Sequence, residues 1–194
     1  MPDILLHLLP HVVSSLLYGA LGMHFWHTRW RETDRPLVTL PMQPWERAAI
    51  LAALVVQGIG LYQGLFSAGG MRFSFSFALS LMLWLAVLIY WLESFHARMD
   101  GLQPMVLPLA AISALAPALF PQLRVVANAG AWGFQLHFLT AMLAYSLFTL
   151  SALHAVFMGF AERKLHQRAV TKSLTSLPPI LTMEALLFRM ILVA

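Results

Sequence analysis

The chain has 194 residues, of which 60% are hydrophobic and only 10% are charged, and its mean hydropathy is +0.75. Since a soluble domain of this length cannot hide so much apolar surface, the composition excludes an ordinary soluble protein. Cysteine is absent, which excludes disulfides, thiolate metal sites and covalent haem attachment through Cys-x-x-Cys-His, so the chain is not itself a c-type cytochrome.

Five apolar stretches follow one another in chain order, at residues 4–25, 48–66, 73–92, 105–120 and 134–160. None of them contains Asp, Glu, Lys or Arg. Each is close to the roughly 20 residues that an α-helix needs to cross a hydrocarbon core of about 30 Å. Long apolar runs without period-2 alternation argue against a β-barrel. The sequence therefore predicts an all-α polytopic transmembrane helix bundle, with residues 1–194 forming a single transmembrane domain.

The basic residues of the connecting loops predict the orientation of this bundle. Grouping alternate loops puts two basic residues on one side of the membrane and nine on the other, the nine being Arg29, Arg31, Arg35, Arg47, Arg98, Arg163, Lys164, Arg168 and Lys172. The positive-inside rule places these nine in the cytoplasm and the N-terminus outside. Because the arginines follow the first apolar stretch, that stretch is read as a retained span and not as a cleaved signal peptide. The net charge of +4 is then an orientation signal, and no nucleic-acid partner is expected.

Aromatic and proline residues refine the spans. Tryptophans fall near the predicted span ends, as in an interfacial aromatic belt, at Trp26, Trp30, Trp45, Trp91 and Trp132. Pro108 and Pro117 predict a kinked or shortened fourth helix. After Pro178 and Pro179, Thr182 can cap a last helix over residues 183–194, which is too short to cross a bilayer. It is either an interfacial helix or, as we expect, the start of a sixth span of a longer protein.

The second stretch contains the run QGIGLYQG, in which Gly60 and Gly64 are four residues apart and share one face. This spacing predicts a seam where another helix approaches closely. We expect Ala53, in the same helix, to face lipid instead. Gln57 and Gln63 are candidates for interhelical hydrogen bonds.

Histidine is the side chain here that can bind haem iron while neutral. In the predicted topology His7, His11 and His137 form an outer tier, whereas His24 and His154 lie toward the cytoplasmic side. The alternative for each is a hydrogen-bonded packing residue. Because the apolar stretches hold no carboxylate or lysine, an ion-coupled transporter is disfavoured. The sequence has no nucleophile triad, phosphate loop or His-Glu-x-x-His motif, so we expect no enzyme.

One segment resembles a known family. The run WGFQLHFLTAMLAYSLFTLSALHAVFMGFAERKL, residues 132–165, is similar to the core helix of the cytochrome c assembly protein family (CcsA/CcmC-type), in which a tryptophan and a histidine open a helix followed by an Ala-Tyr pair. Further similarity, closest to the HemX/YpjD-like branch of inner-membrane proteins, occurs in YQGLF at 62–66, FALSLMLWL at 77–85, VLPLAA at 106–111 and LPPILTMEALLFRM at 177–190. The resemblance covers about residues 57–189.

The resemblance implies a multi-pass protein of the bacterial inner membrane that binds haem, or helps to pass it, at the outer face during cytochrome c assembly. It implies His137 as the ligand of the haem iron, with Trp132 beside it. The paired histidine would lie beyond Ala194, with His7 or His11 as substitutes. The tryptophan-rich external signature of the haem-handling members is absent, since residues 121–133 contain one tryptophan.

Three functions remain open at this point. The first is haem handling in cytochrome c assembly, with the lipid bilayer and other assembly components as partners. The second is a HemX-like regulatory or accessory membrane protein that binds no haem. The third is a b-type electron-transfer cytochrome, which requires two histidines facing each other across one haem.

Overall fold

The computed structural model describes residues 2–30, 42–65, 72–95, 101–121, 124–125 and 131–168, together with 188 and 191–192. The described chain forms five α-helices: α1 (Pro2–Phe25), α2 (Pro44–Leu65), α3 (Phe75–Glu93), α4 (Gln103–Leu119) and α5 (Trp132–Arg168). A five-residue π-helix, Trp26–Trp30, directly continues α1. The two-residue strands β1 (Arg72–Phe73) and β2 (Arg124–Val125) pair antiparallel. The predicted all-α helix bundle is confirmed for this part of the chain, whereas the predicted last helix at 183–194 lies almost wholly outside it.

Every predicted apolar stretch is a helix, but three helices continue into polar sequence. α2 begins at Pro44, four residues before its apolar stretch, and so includes Glu46 and Arg47. The π-helix adds Arg29 to the end of α1. The helix α5 has 37 residues in all and extends past its apolar stretch to Arg168. Hydropathy locates the part of each helix that prefers lipid, whereas backbone hydrogen bonding extends beyond that part.

Four helices of the described chain are long and apolar enough to cross a membrane, over Leu8–Arg29, Pro44–Leu65, Phe75–Glu93 and Trp132–Phe160. α4 has 17 residues, which corresponds to a length of about 25 Å. Pro108 and Pro117 both lie inside it, as predicted for a shortened helix. The structure thus indicates a membrane protein, with four candidate spans and one shorter apolar helix.

Cross-helix contacts show that consecutive helices run antiparallel. His24 of α1 contacts Glu46 at the start of α2, while Pro10 lies opposite Gly60 near the other end of α2. α1 packs on α2 and α4, whereas α3 packs on α2, α4 and α5. The fold is therefore an up-and-down bundle in which α5 lies against α3.

The two ends of the bundle carry different features. The β1–β2 pair joins the connection before α3 to the connection before α5, and Ser76 Oγ donates to Phe120 O at 2.8 Å beside it. We call this the strand end, and we call the opposite end, which carries Glu46, the Glu46 end. The pairing places both connections at one end, as an up-and-down course requires.

The interior is mainly apolar, and two tryptophan side chains of α3 donate hydrogen bonds to backbone carbonyls of α2. Trp84 Nε1 donates to Leu54 O at 2.8 Å, and Trp91 Nε1 donates to Arg47 O at 3.0 Å, so hydrogen bonds connect α3 to α2 at two levels.

Ala53 of α2 is fully buried. The expectation that Ala53 faces lipid was therefore wrong, because the residues around Ala53 in α2 are all apolar and composition alone does not distinguish a lipid-facing side from a core-facing one.

Glycines permit three close helix contacts. A Cβ on Gly60 would lie 3.0 Å from Pro10 Cβ, and one on Gly64 would overlap the Phe77 ring. The predicted seam thus contacts two helices, α1 and α3. A Cβ on Gly22 of α1 would lie 3.1 Å from the ring of Pro108 in α4. Absence of a side chain at these positions lets the backbones approach, as small residues do in membrane bundles.

The beginning of α5 extends past the start of α3. Thr149 Oγ1 contacts Met82 Sδ at 3.8 Å, yet Thr149 is the eighteenth residue of α5 and Met82 the eighth of α3. Since the two helices run parallel, α5 starts about 15 Å beyond α3 at the strand end. None of residues 131–145 is buried. We call residues 132–145 the projecting turns of α5.

Candidate functional site

The most enclosed charged group in the described chain lies at the Glu46 end. The Glu46 side chain is only 5% exposed and forms an ion pair with Arg29, whose Nη2 lies 3.0 Å from Glu46 Oε2 and whose side chain is 8% exposed. His24 Nε2 lies 3.1 Å from Glu46 Oε1 and donates to it. One carboxylate therefore binds two side chains from the end of α1.

The local sequence explains why Glu46 lies there. Pro44 opens α2 and Glu46 lies in its first turn, where a carboxylate interacts favourably with the helix dipole. The backbone N–H of Gln43 donates to Glu46 Oε2 at 2.7 Å. This is the return half of a capping box, in which an acidic side chain satisfies a backbone donor that the helix leaves open.

The π-helix brings Arg29 to the same carboxylate. Thr28 Oγ1 donates to His24 O at 2.9 Å, and a side chain that bonds to the preceding turn commonly disturbs regular α-helix. Arg29 Cζ lies 4.8 Å from the centre of the Phe25 ring, while the His24 and Trp45 rings meet edge to face at 4.9 Å. Aromatic rings thus pack against both side chains that bind the Glu46 carboxylate, Phe25 against Arg29 and Trp45 against His24.

This arrangement can anchor helices and neutralise a buried charge. Both Glu46 oxygens already accept hydrogen bonds from the protein, so the carboxylate serves the junction between α1 and α2. Sequence reasoning placed Arg29 in a loop and did not single out Glu46. The signal that was present is Pro44 followed by an acidic residue in the first helical turn.

His11, a predicted haem ligand, is enclosed by protein. The residue is 4% exposed, and a Cβ on Gly60 would lie 3.1 Å from its Cε1 and 3.3 Å from its Nε2. Its ring meets Phe77 edge to face at 5.8 Å. The Nε2 atom therefore faces the backbone of α2, and a haem has no access to it in this packing.

His137 and Trp132 have the opposite environment. Both lie on the projecting turns of α5 and are exposed, Trp132 by 77%. Gly133, one helical turn before His137, has no atom within 4 Å of where a Cβ would be. The structure does not bring His137 to His11, because one histidine lies on the surface of α5 and the other among α1, α2 and α3.

The other histidines are distributed along the bundle. His154 is 2% exposed and lies on α5, whereas His27 is exposed in the π-helix. The side chain of His7 lies outside the described residues. Within the described ranges, no group of three or more His, Cys, Asp and Glu residues is arranged to hold a metal ion.

Comparisons with known proteins provide no further constraint on the site. The chain matched no protein-family model, no curated protein and no solved structure. The geometry of the described residues is therefore what bears on the function.

The imidazole of His137 is accessible from outside the bundle. His137 lies on an uncharged helical segment with open space over Gly133, so a planar apolar ligand can approach its ring. A bound haem would supply an iron centre for axial ligation. The chain's own contribution is to present His137 on a rigid helix at the strand end.

Proposed function

We propose that this protein is a membrane component of haem handling in cytochrome c assembly, which binds haem or helps to pass it at the outer face. His137 is the ligand of the haem iron and Trp132 lies beside the haem. The observation that carries the proposal is the exposure of His137 on the projecting turns of α5. A side chain that binds the iron of a haem in transfer has to be accessible from outside the bundle, and the His137 side chain is accessible in this way.

The proposed orientation places the strand end outside and the Glu46 end in the cytoplasm, in a bacterial inner membrane. Support comes from the nine basic residues that flank the Glu46 end in the sequence. α4 then crosses as a short fifth span beside α1 and α3. With this orientation the projecting turns lie at the external surface, where haem propionates remain in water.

Substitution of His137 by glycine tests the haem proposal. Detergent-purified parent protein, supplemented with haem, is expected to show a Soret band, and His137→Gly is expected to lose it and regain it with added imidazole. Imidazole occupies the space of the deleted ring, so recovery separates ligation from folding. His27→Ala, at an exposed histidine of the opposite end, is the matched control and retains the parent spectrum. An unchanged Soret position and haem content in His137→Gly would refute the assignment.

A HemX-like regulatory or accessory protein without haem is the second candidate. The burial of His11 and His154 inside the helix bundle favours it, because buried imidazoles in membrane helices commonly serve packing and hydrogen bonding. Parent protein that shows no Soret band after haem supplementation supports this candidate over the first.

A further inference from the structure

Each of the five helices contributes a buried polar residue at nearly the same depth. These residues are at most 3% exposed, and the cross-helix contacts described above place them within about one helical turn of a common level. We call them the polar layer, and they are Ser14, Gln57, Ser80, Ser113 and Ser146.

Most hydrogen-bonding groups of the polar layer have protein partners. The hydroxyl of Ser14 donates to His11 O at 3.2 Å, and Ser113 and Ser146 bond in the same way within their own helices. Gln57 Nε2 donates across to Ser80, at 3.0 Å to Oγ and 3.3 Å to O. Gln57 Oε1 is different, because it is buried and accepts no hydrogen bond from the described residues.

Tyr18 carries a second such group on α1, the helix that packs against α2. The residue is fully buried, and its hydroxyl has no hydrogen-bond partner among the described residues. Tyr18 lies one turn from Ser14 on the same face of α1. Because Cα–Cβ bonds tilt toward a helix N-terminus, the Tyr18 side chain leans toward the strand end and that of Gln57 toward the Glu46 end. The two side chains therefore lean toward each other's level.

A donor and an acceptor left unpaired in an apolar interior are both costly, and buried polar groups in native proteins are paired with protein or with water. One water molecule satisfies both, since it accepts from the Tyr18 hydroxyl and donates to Gln57 Oε1. Ser80 Oγ, which lies 3.0 Å from Gln57 Nε2, is a hydroxyl oxygen of the layer that can accept the water's second proton. Buried waters typically make about three such bonds.

We infer that the bundle holds an internal water molecule in the polar layer, bridging the Tyr18 hydroxyl and Gln57 Oε1. Water fits these two groups because one is a donor, the other is an acceptor, and neither is charged. The bundle is then hydrated at this level, about midway between its ends.

Radiolytic footprinting tests the inference on the whole protein. X-ray radiolysis of a bound water produces hydroxyl radical in place, so a buried aromatic beside such a water is oxidised. We expect Tyr18 to be labelled above Phe25, which is equally buried in the apolar core. Gln57→Leu, which removes one partner of the water, is expected to lower the labelling of Tyr18. Labelling of Tyr18 no greater than that of Phe25 overturns the inference.

Removal of the Tyr18 hydroxyl gives an independent test, because the expected change in melting temperature differs between a hydroxyl that binds water and one that does not. If water is bound, Tyr18→Phe deprives it of a partner and lowers the melting temperature in detergent, by about 2 to 4 °C. If the hydroxyl is dry and unpaired, its removal leaves the melting temperature unchanged or raises it, and the inference fails. In a Gln57→Leu background the same substitution is expected to have a smaller effect, because the shared water is already weakened.

Discussion

Among the residues that the structure describes, Glu46 is a buried carboxylate with two charged or titratable side chains and a backbone N–H as partners. Its carboxylate accepts hydrogen bonds from Arg29, His24 and the backbone N–H of Gln43. Glu46 therefore stabilises the junction between the end of α1 and the start of α2. A buried pair of this kind contributes little over an apolar replacement, but removing one member leaves an uncompensated charge. The stabilising effect of Arg29 therefore depends strongly on the presence of Glu46, and that of Glu46 on Arg29.

This dependence predicts the behaviour of a double-mutant cycle. Arg29→Ala and Glu46→Ala are each expected to reduce the free energy of unfolding by about 3 kcal/mol, because each leaves a buried charge without its opposite. The double variant is expected to lose much less than the sum. Arg163→Ala, at an exposed arginine of α5, is the control and leaves the melting temperature unchanged. Additive losses from the two single variants would show that the ion pair has no cooperative role.

At the scale of the helix, close approach at glycine sets the packing of α1 against its neighbours. Gly22 lies against the rigid ring of Pro108, whereas Gly19 on the same helix has no atom within 4 Å of a Cβ position. In α2, Gly60 lies against Pro10, whereas Gly58 has Trp84 at an ordinary contact distance of 3.4 Å. Each helix thus contains a crowded glycine and an internal control.

Alanine substitutions at these positions are expected to change the stability of the protein in opposite directions. Gly19→Ala is expected to be neutral or stabilising, because alanine favours the helix by about 1 kcal/mol over glycine. Gly22→Ala is expected to be destabilising, since overpacking against Pro108 costs about 1 to 3 kcal/mol. Gly60→Ala is likewise expected to cost more than Gly58→Ala. Thermal unfolding in detergent measures all four, and equal changes within each pair would refute the packing described for α1.

The elements also show what the sequence could predict. All five helices, the short α4 and the close-packed glycines follow from apolar run length, proline position and small-residue spacing. The fully buried Ala53 did not, because in an apolar helix lipid-facing and core-facing residues have the same composition. Glu46 was missed because its burial depends on the π-helix, which turns Arg29 toward it. His137 and His11 were both predicted to lie in the outer tier, and their opposite exposure follows from which helices surround them.

For the whole molecule, we propose an up-and-down bundle that crosses a membrane with its Glu46 end in the cytoplasm. The β1–β2 pair places two connections at one end, and the alternation of helices fixes which connections share a side. The charge asymmetry favours this proposed orientation, since nine basic loop residues fall on one side in the sequence and two on the other.

Single-cysteine labelling at the two ends of α5 measures this orientation directly, because the chain has no native cysteine. Ala131→Cys and Arg163→Cys replace exposed residues at the strand end and at the Glu46 end of one helix, so each is the control for the other. In intact cells, a membrane-impermeant maleimide is expected to label position 131 and to label position 163 only after the cells are permeabilised. Labelling of position 163 in intact cells, or equal labelling of both positions, would contradict the proposed membrane orientation.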